Sequence, residues 1–190
     1  MKYRDILCTG QPRSGTHYIT ALISSYFLDD TDYLKIYRNH ELPEIVQVQS
    51  IAYFHIWRDF EPMAKSIYVL KERFGLSVGS YEEFLKSRYT DMWRMKNPEK
   101  AVTNVRTLNG RARFTGISDF FKGVDMNPRQ YWEYYNTVWA ECAKENPNVI
   151  SVKYDDMLED FNGTMSYIAA RLGSDVTEFK NIDRKVGWWK

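Results

Sequence analysis

The stretch that most limits what this chain can become is its first eighteen residues. Ile6-Leu7-Cys8-Thr9 is a short apolar run, and it passes into Gly10-Gln11-Pro12-Arg13-Ser14-Gly15-Thr16-His17-Tyr18. Ile19, Leu22, Ile23 and Tyr26 then recur at helical spacing. Apolar run, Gly/Pro/Ser turn and helical period predict a strand, a tight loop and a helix in succession. That order makes a phosphate cradle: glycines let the backbone come close to an anion, and the N–H groups at the helix start, with the positive end of its dipole, favour negative charge. A strand-to-helix turn without a ligand has the same outline, so the loop's contents have to decide.

The spacing from Gly10 to Gly15 copies the nucleotide-binding loop G-x-x-x-x-G-K-[ST], but Thr16 and His17 stand where that motif has Lys and a hydroxyl. The phosphate-gripping lysine and magnesium-binding hydroxyl of an ATPase or kinase are therefore absent from their places. The loop's cation is Arg13, two residues before Gly15. A loop of this kind suits a nucleotide whose transferred group is not a magnesium-chelated γ-phosphate.

Further along, strands alternate with helices. Tyr33 to Tyr37 is predicted as a second strand, delivering Arg38-Asn39-His40-Glu41-Leu42-Pro43 at its carboxyl end. Ligands of open α/β sheets collect at the carboxyl ends of strands, which leaves His40 open to a catalytic role as well as a packing one. Pro43 to Ser50 is read as a short helix with proline at its start. Ile51 to Trp57 is a continuous apolar run of the kind buried parallel strands show, and His55 within it is expected to pack rather than react. Arg58-Asp59 ends that strand, and a helix follows from about Glu61 to Lys71. Arg58 and Ser66, at the strand end and in the following helix, can face one anion, the Arg fork binding it and the hydroxyl adding a hydrogen bond. A surface ion pair and an exposed serine fit the same two residues.

Ser80 to Arg88 is predicted as a short amphipathic helix with Glu82 and Glu83 in its first turn. From 89 to 122 the pattern is poor, with Arg94, Lys96, Lys100, Arg106, Arg111 and Arg113 set among turn signals such as Asn97-Pro98 and Asn109-Gly110. A loop this long in a compact domain is functional or mobile. The stretch is read as a lid or acceptor-binding insertion, with a solvated basic surface as the other reading. Asn127 to Glu145 is a strong helix whose Trp132, Tyr135, Val138, Trp139 and Cys142 stripe reads as core. Val149 to Lys153 is predicted as the fourth strand, and a helical region from Tyr154 to Leu172 ends at Gly173.

Several of these pieces together resemble one family, the sulfotransferases that use 3′-phosphoadenosine 5′-phosphosulfate (PAPS), in their cytosolic type and in a short form. Gln11 to Tyr18 is similar to that family's P-K-S-G-T-T-W loop for the 5′-phosphosulfate, and Arg38 to Pro43 to its K-T-H-L-P segment, whose His is the base. Arg58 to Ser66 resembles R-N-P-K-D-V-A-V-S, whose Arg and Ser hold the 3′-phosphate. Val152 to Met157 resembles R-Y-E-D-L, and Arg184-Lys185-Val186-Gly187-Trp188-Trp189-Lys190 the tail R-K-G-x-x-G-D-W-K. Arg13 replaces the family's Lys, Tyr18 its adenine-stacking Trp, and the tail is two residues shorter between Lys185 and Gly187.

The resemblance implies sulfuryl transfer from PAPS, a co-substrate, to an acceptor hydroxyl or amine without a metal. His40 and Arg13 become the catalytic residues. Arg13, Ser14, Gly15, Thr16, His17, Tyr18, Arg58, Ser66, Tyr154, Arg184, Lys185 and Gly187 become the nucleotide-binding set. An imidazole's ordinary pKa of about 6.5 suits a base near neutral pH.

The expected fold is α/β, a single-domain P-loop fold spanning residues 1–190 with a central parallel β-sheet flanked by helices, and with 89–122 inserted. At 190 residues, 44% hydrophobic and 27% charged, one globular domain with a proper core is expected. A net charge of +1 gives no reason to expect nucleic-acid binding, so anion recognition has to be local. No apolar run reads as a signal peptide or membrane span, and two cysteines make no disulfide framework, so the enzyme is expected in the cytoplasm. The acceptor is expected to be a small molecule or a glycan. Two other readings stay open: a P-loop kinase or NTPase with Asp59 as its magnesium carboxylate, and a non-catalytic nucleotide-binding module on the same scaffold.

Overall fold

A computed structural model describes residues 2–27, 36–94, 106–108, 112–114, 121 and 123–182. The first strand, β1 (Asp5–Thr9), runs into the loop and then into α1 (Thr16–Phe27), whose Ile19, Leu22 and Ile23 are fully buried along one face. Next come β2 (Ile36–Asn39), a 3-10 turn (Pro43–Ile45), β3 (Ile51–Trp57), α2 (Phe60–Val69) and a second 3-10 turn (Lys71–Phe74). They are followed by α3 (Tyr81–Lys86), α4 (Tyr89–Met92), β4 (Arg106–Leu108) and β5 (Ala112–Phe114). The chain closes with α5 (Pro128–Glu145), β6 (Val149–Lys153), α6 (Tyr154–Glu159) and α7 (Phe161–Leu172).

Among the described residues these strands make one six-stranded sheet in the order β4-β5-β2-β1-β3-β6. All neighbours are parallel except the β4–β5 pair at one edge. The fold class is α/β with a central sheet flanked by helices. On one face Ile6, Cys8, Phe54, Ile56, Ile150 and Val152 pack against α1, α6 and α7. On the other, Tyr53 and Val149 pack against α2, α3, α4 and α5. The alternation follows from the pleat: neighbouring residues of a strand point to opposite faces, so a strand covered on both sides needs apolar residues at every position.

The order β2-β1-β3 places the site. The chain leaves β1 on one side to form β2 and then crosses to the other side to form β3, so the strand order reverses at β1 and β3, the kind of switch point beside which ligands of open α/β sheets bind. The register brings the ends level, because Thr9 pairs with Asn39 on β2 and with His55 on β3.

Four differences from the sequence reading have local causes. The second strand lies at Ile36–Asn39 rather than Tyr33 to Tyr37, of which 33–35 fall outside the described residues. Of the helix read over Pro43 to Ser50, one 3-10 turn forms. The patternless stretch 89–122 contributes α4 and the β4–β5 pair, which are too short to show a period. Val149 to Lys153 is accordingly the sixth strand and not the fourth. Finally, the region after Tyr154 is two helices. Asp160 breaks it, and its Oδ1 accepts from the Gly163 N–H at 2.9 Å as the N-cap of α7.

Candidate active site

The loop between β1 and α1 is shaped by close approaches. A Cβ on Gly10 would lie 2.1 Å from the Ile56 carbonyl oxygen, so only glycine lets the loop leave β1 against β3. Gly15 has φ +93°, and a Cβ there would lie 2.1 Å from Cδ2 of Tyr154. Arg13 takes the left-handed conformation at φ 71°, the one non-glycine to do so among the described residues. Such a conformation costs a non-glycine residue roughly 1–2 kcal/mol and tends to mark functional sites. Ser14 is buried, and its Oγ has no hydrogen-bond partner among the described residues. Thr16 is buried and His17 half-buried at the start of α1, whose first backbone N–H groups have no partner within the helix.

Arg13 ties this loop to α2, since its Nε donates to Ser66 Oγ at 2.8 Å. Burial pulls the Arg13 pKa below its ordinary value, and the nearby guanidiniums of Arg58 and Arg73 lower it further. Arg13 thus lies within electrostatic reach of two further arginines. Arg73, in the 3-10 turn after α2, was absent from the sequence reading; nothing local marks a basic residue there as part of a distant loop's surroundings.

Arg58 stands at the end of β3 and is braced on several sides. Its Nε lies 3.5 Å from Asp155 Oδ1, its guanidinium sits 5.0 Å from the centroid of the Tyr154 ring, and its carbonyl accepts from Trp132 Nε1 at 2.9 Å. Tyr154 also meets Tyr18 edge-to-face, with centroids 5.9 Å apart. Tyr18 is buried, and its hydroxyl donates to Asn181 Oδ1 at 2.5 Å. Asp59, the magnesium carboxylate of the kinase reading, holds Lys153 Nζ at 3.0 Å. Among the described residues no group of His, Cys, Asp or Glu could hold a metal ion.

His40 is buried, and its Nδ1 bonds to the carbonyl of Gly10, the first residue of the loop. A carbonyl only accepts, so Nδ1 carries the proton and the neutral ring's lone pair lies on Nε2. The next residue anchors this segment. The Glu41 carbonyl lies within hydrogen-bonding distance of Tyr135 Oη at 2.8 Å, Thr9 Oγ1 at 3.1 Å and Trp139 Nε1 at 3.2 Å. Gln11 adds a further tie from the loop to α5, its Nε2 donating to the Tyr131 carbonyl at 3.0 Å. The aromatic stripe of α5 is therefore core, as its spacing predicts, and its hydroxyl and indole also pin the His40 segment. His55 packs as expected: it is buried, stacked on Trp139 at 5.5 Å, and bonded to Ser151 Oγ and Asn136 Oδ1 at 3.1 Å each.

Of the residues singled out in the sequence, Arg13 meets Ser66, Tyr154 lies against Gly15, Tyr18 and Arg58, His40 meets the loop at Gly10, and Ser14, Thr16 and His17 belong to the loop and the start of α1. Arg184, Lys185 and Gly187 lie outside the described residues, as do Lys96, Lys100 and Arg111.

The profile of the Sulfotransferase domain family matches residues 59–186, more than half of the chain. The chain belongs to the sulfotransferase family. Within this family member, Ser66, Tyr154, Arg184 and Lys185 fall inside the matched span, whereas the phosphate loop, His40 and Arg58 precede it. Among solved structures, the crystal structure of mouse sulfotransferase SULT7A1 complexed with PAP shares the fold with a TM-score of 0.59, at 18% sequence identity. That match covers 92% of this chain and 60% of the mouse chain, so this family member spans about three fifths of the mouse chain's length. No curated protein sequence matches it. Among the described residues, no helix is long and apolar enough to cross a membrane.

Proposed function

We propose that this chain is a PAPS-dependent sulfotransferase that moves the sulfuryl group to an acceptor hydroxyl or amine and leaves adenosine 3′,5′-bisphosphate, with His40 as general base. The observation that carries the reading is the bond from His40 Nδ1 to the Gly10 carbonyl, which joins the base to the phosphate loop and sets its lone pair on Nε2. In this reaction the acceptor oxygen or nitrogen attacks sulfur and its proton passes to His40 Nε2. The bond from sulfur to the 5′-phosphate oxygen breaks, and its electron pair stays on the phosphate. As in phosphoryl transfer, a loose in-line transition state leaves the protein mainly positioning and charge stabilisation to do.

Arg13, the loop N–H groups of Gly15 to His17, and the hydroxyls of Ser14 and Thr16 take the 5′-phosphate and the departing oxygen. Arg58 and Ser66, with Arg184, Lys185 and Gly187, take the 3′-phosphate, and Tyr18 and Tyr154 the adenine. PAP in the mouse sulfotransferase of similar fold supports this nucleotide. We read residues 1–190 as one domain, the stretch 89–122 as its acceptor-binding segment for a small molecule or glycan, and the cytoplasm as its compartment.

Calorimetric titration tests the donor before the acceptor is known. Tight binding of adenosine 3′,5′-bisphosphate, with much weaker binding of adenosine 5′-phosphate, is expected. Equal or tighter binding of magnesium-ATP would overturn the reading in favour of a kinase. Once an acceptor is in hand, His40→Ala should abolish transfer from labelled PAPS while bisphosphate binding holds, and surviving transfer would remove His40 as the base.

A further inference from the structure

The charges that follow β3 and β6 are interlocked crosswise. Arg58-Asp59 leaves β3, and Lys153 ends β6 with Tyr154-Asp155 following, side by side in the parallel register that pairs Trp57 with Lys153. Lys153 Nζ lies 3.0 Å from Asp59 Oδ1, and Arg58 Nε lies 3.5 Å from Asp155 Oδ1. The second oxygen of Asp155, Oδ2, accepts from the backbone N–H of Asp59 at 3.0 Å. One carboxylate therefore touches both the guanidinium of Arg58 and the backbone of the residue after it. It is mostly withdrawn from water, with the Asp155 side chain 19% exposed and that of Arg58 24%.

Which edge of the guanidinium is engaged matters more than the pairing itself. Asp155 approaches Nε as an ion pair at 3.5 Å without a hydrogen bond, and the guanidinium carbon sits 5.0 Å from the centroid of the Tyr154 ring. Among the described residues neither Nη group of Arg58 donates a hydrogen bond, and it is the paired N–H groups of this fork that match two oxygens of a phosphate. Arg58 is thus contacted at its Nε edge by Asp155 and over the Tyr154 ring, which leaves its two Nη groups without a hydrogen-bond partner among the described residues. A free arginine loses much rotamer freedom on binding, and one held in place beforehand loses less.

We propose that Asp155 is the positioning residue for Arg58, setting its fork to receive the 3′-phosphate of the nucleotide. The proposal rests on the reading of Arg58 as a 3′-phosphate ligand. Its sign is diagnostic. A carboxylate near an anion site repels the anion, so charge alone predicts that removing Asp155 tightens binding, whereas positioning predicts that removal weakens it.

The experiment is a double-mutant cycle read by calorimetry on the full chain, with adenosine 3′,5′-bisphosphate and adenosine 5′-phosphate as the two probes. Asp155→Ala should weaken the bisphosphate by about tenfold, equivalent to ~1.4 kcal/mol, and leave adenosine 5′-phosphate within about twofold. Asp155→Asn, which keeps an acceptor for the Asp59 N–H, should weaken the bisphosphate in the same direction. In the Arg58→Ala background, adding Asp155→Ala should change nothing further, because its partner is gone. The proposal fails if Asp155→Ala binds the bisphosphate as well as or better than the wild type. It also fails if both probes weaken equally, as a damaged fold would give, or if the loss persists without Arg58. A wild type that does not distinguish the two probes would instead sink the 3′-phosphate reading of Arg58, and Asp155's role with it.

Discussion

The buried imidazole of His55 makes the stability of this fold depend on pH in a way that can be worked out beforehand. Burial pushes the His55 pKa down from its ordinary value to about 4, and the bond to Asn136 opposes the shift only in part. The ring is therefore neutral in the folded chain at pH 5, while in the unfolded chain, with a pKa of about 6.5, it is mostly protonated. Because the unfolded state binds more protons in this window, stability is fully present above pH 6.5, declines as pH falls, and levels off below pH 4. From the two pKa values, the loss attributable to His55 is about 2 kcal/mol by pH 5 and about 3 kcal/mol by pH 4. That is a sizeable part of the 5–15 kcal/mol that holds a typical domain together.

Urea unfolding at pH 7, 5 and 4 of the wild type and of His55→Gln isolates the effect, because every other titrating group is common to both. The variant starts less stable, having lost the stacking on Trp139. The gap should then narrow steadily on acidification, the wild type losing about 3 kcal/mol more than the variant between pH 7 and 4. Parallel losses in the two proteins would refute the reasoning, since they would mean that His55 takes up its proton in the folded state at its ordinary pKa.

Two further substitutions test the frame of the site. Gly15→Ala combines a left-handed φ of +93° with a Cβ placed on the Tyr154 ring, so it should destabilise by about 2 kcal/mol or more in urea unfolding and weaken bisphosphate binding as Tyr154 is displaced. Trp139→Ala removes a fully buried ring that donates to the Glu41 carbonyl, and a loss of roughly 3–5 kcal/mol is expected by chemical denaturation.

Elements with strong local signals were legible from the chain alone. Ile51 to Trp57 is apolar apart from the buried His55 because helices cover both faces of β3, and its strand bounds agree with the reading to the residue. Helix α5 was legible from Asn127-Pro128, and the structure adds the reciprocal bonds between Asn127 and Gln130 that start it. Strands β4 and β5 were not, because three residues carry no measurable period and their pairing depends on a sheet edge formed elsewhere in the chain. The same holds within the site. The loop and the residues around it could be named by motif, yet the contact from Arg13 to Ser66 spans 53 positions and that from Arg58 to Asp155 spans 97. The grip of Tyr135 and Trp139 on the Glu41 carbonyl had no signal at all, since any buried aromatic stripe looks the same in sequence.

That grip bears on how heat should affect the proposed activity. The Glu41 carbonyl fastens the His40 segment to β1 through Thr9 and to α5 through Tyr135 and Trp139, so the imidazole is oriented by folding and not by substrate. In the proposed reaction little ordering is then left for the moment of binding, and orientation entropy that would slow the chemical step is removed in advance. The arrangement also links two thermal thresholds. Any loosening of α5 against the sheet releases His40, the proposed base, while most of the fold still stands, so the proposed transfer should fade on heating before the far face, built on α1, α6 and α7, gives way.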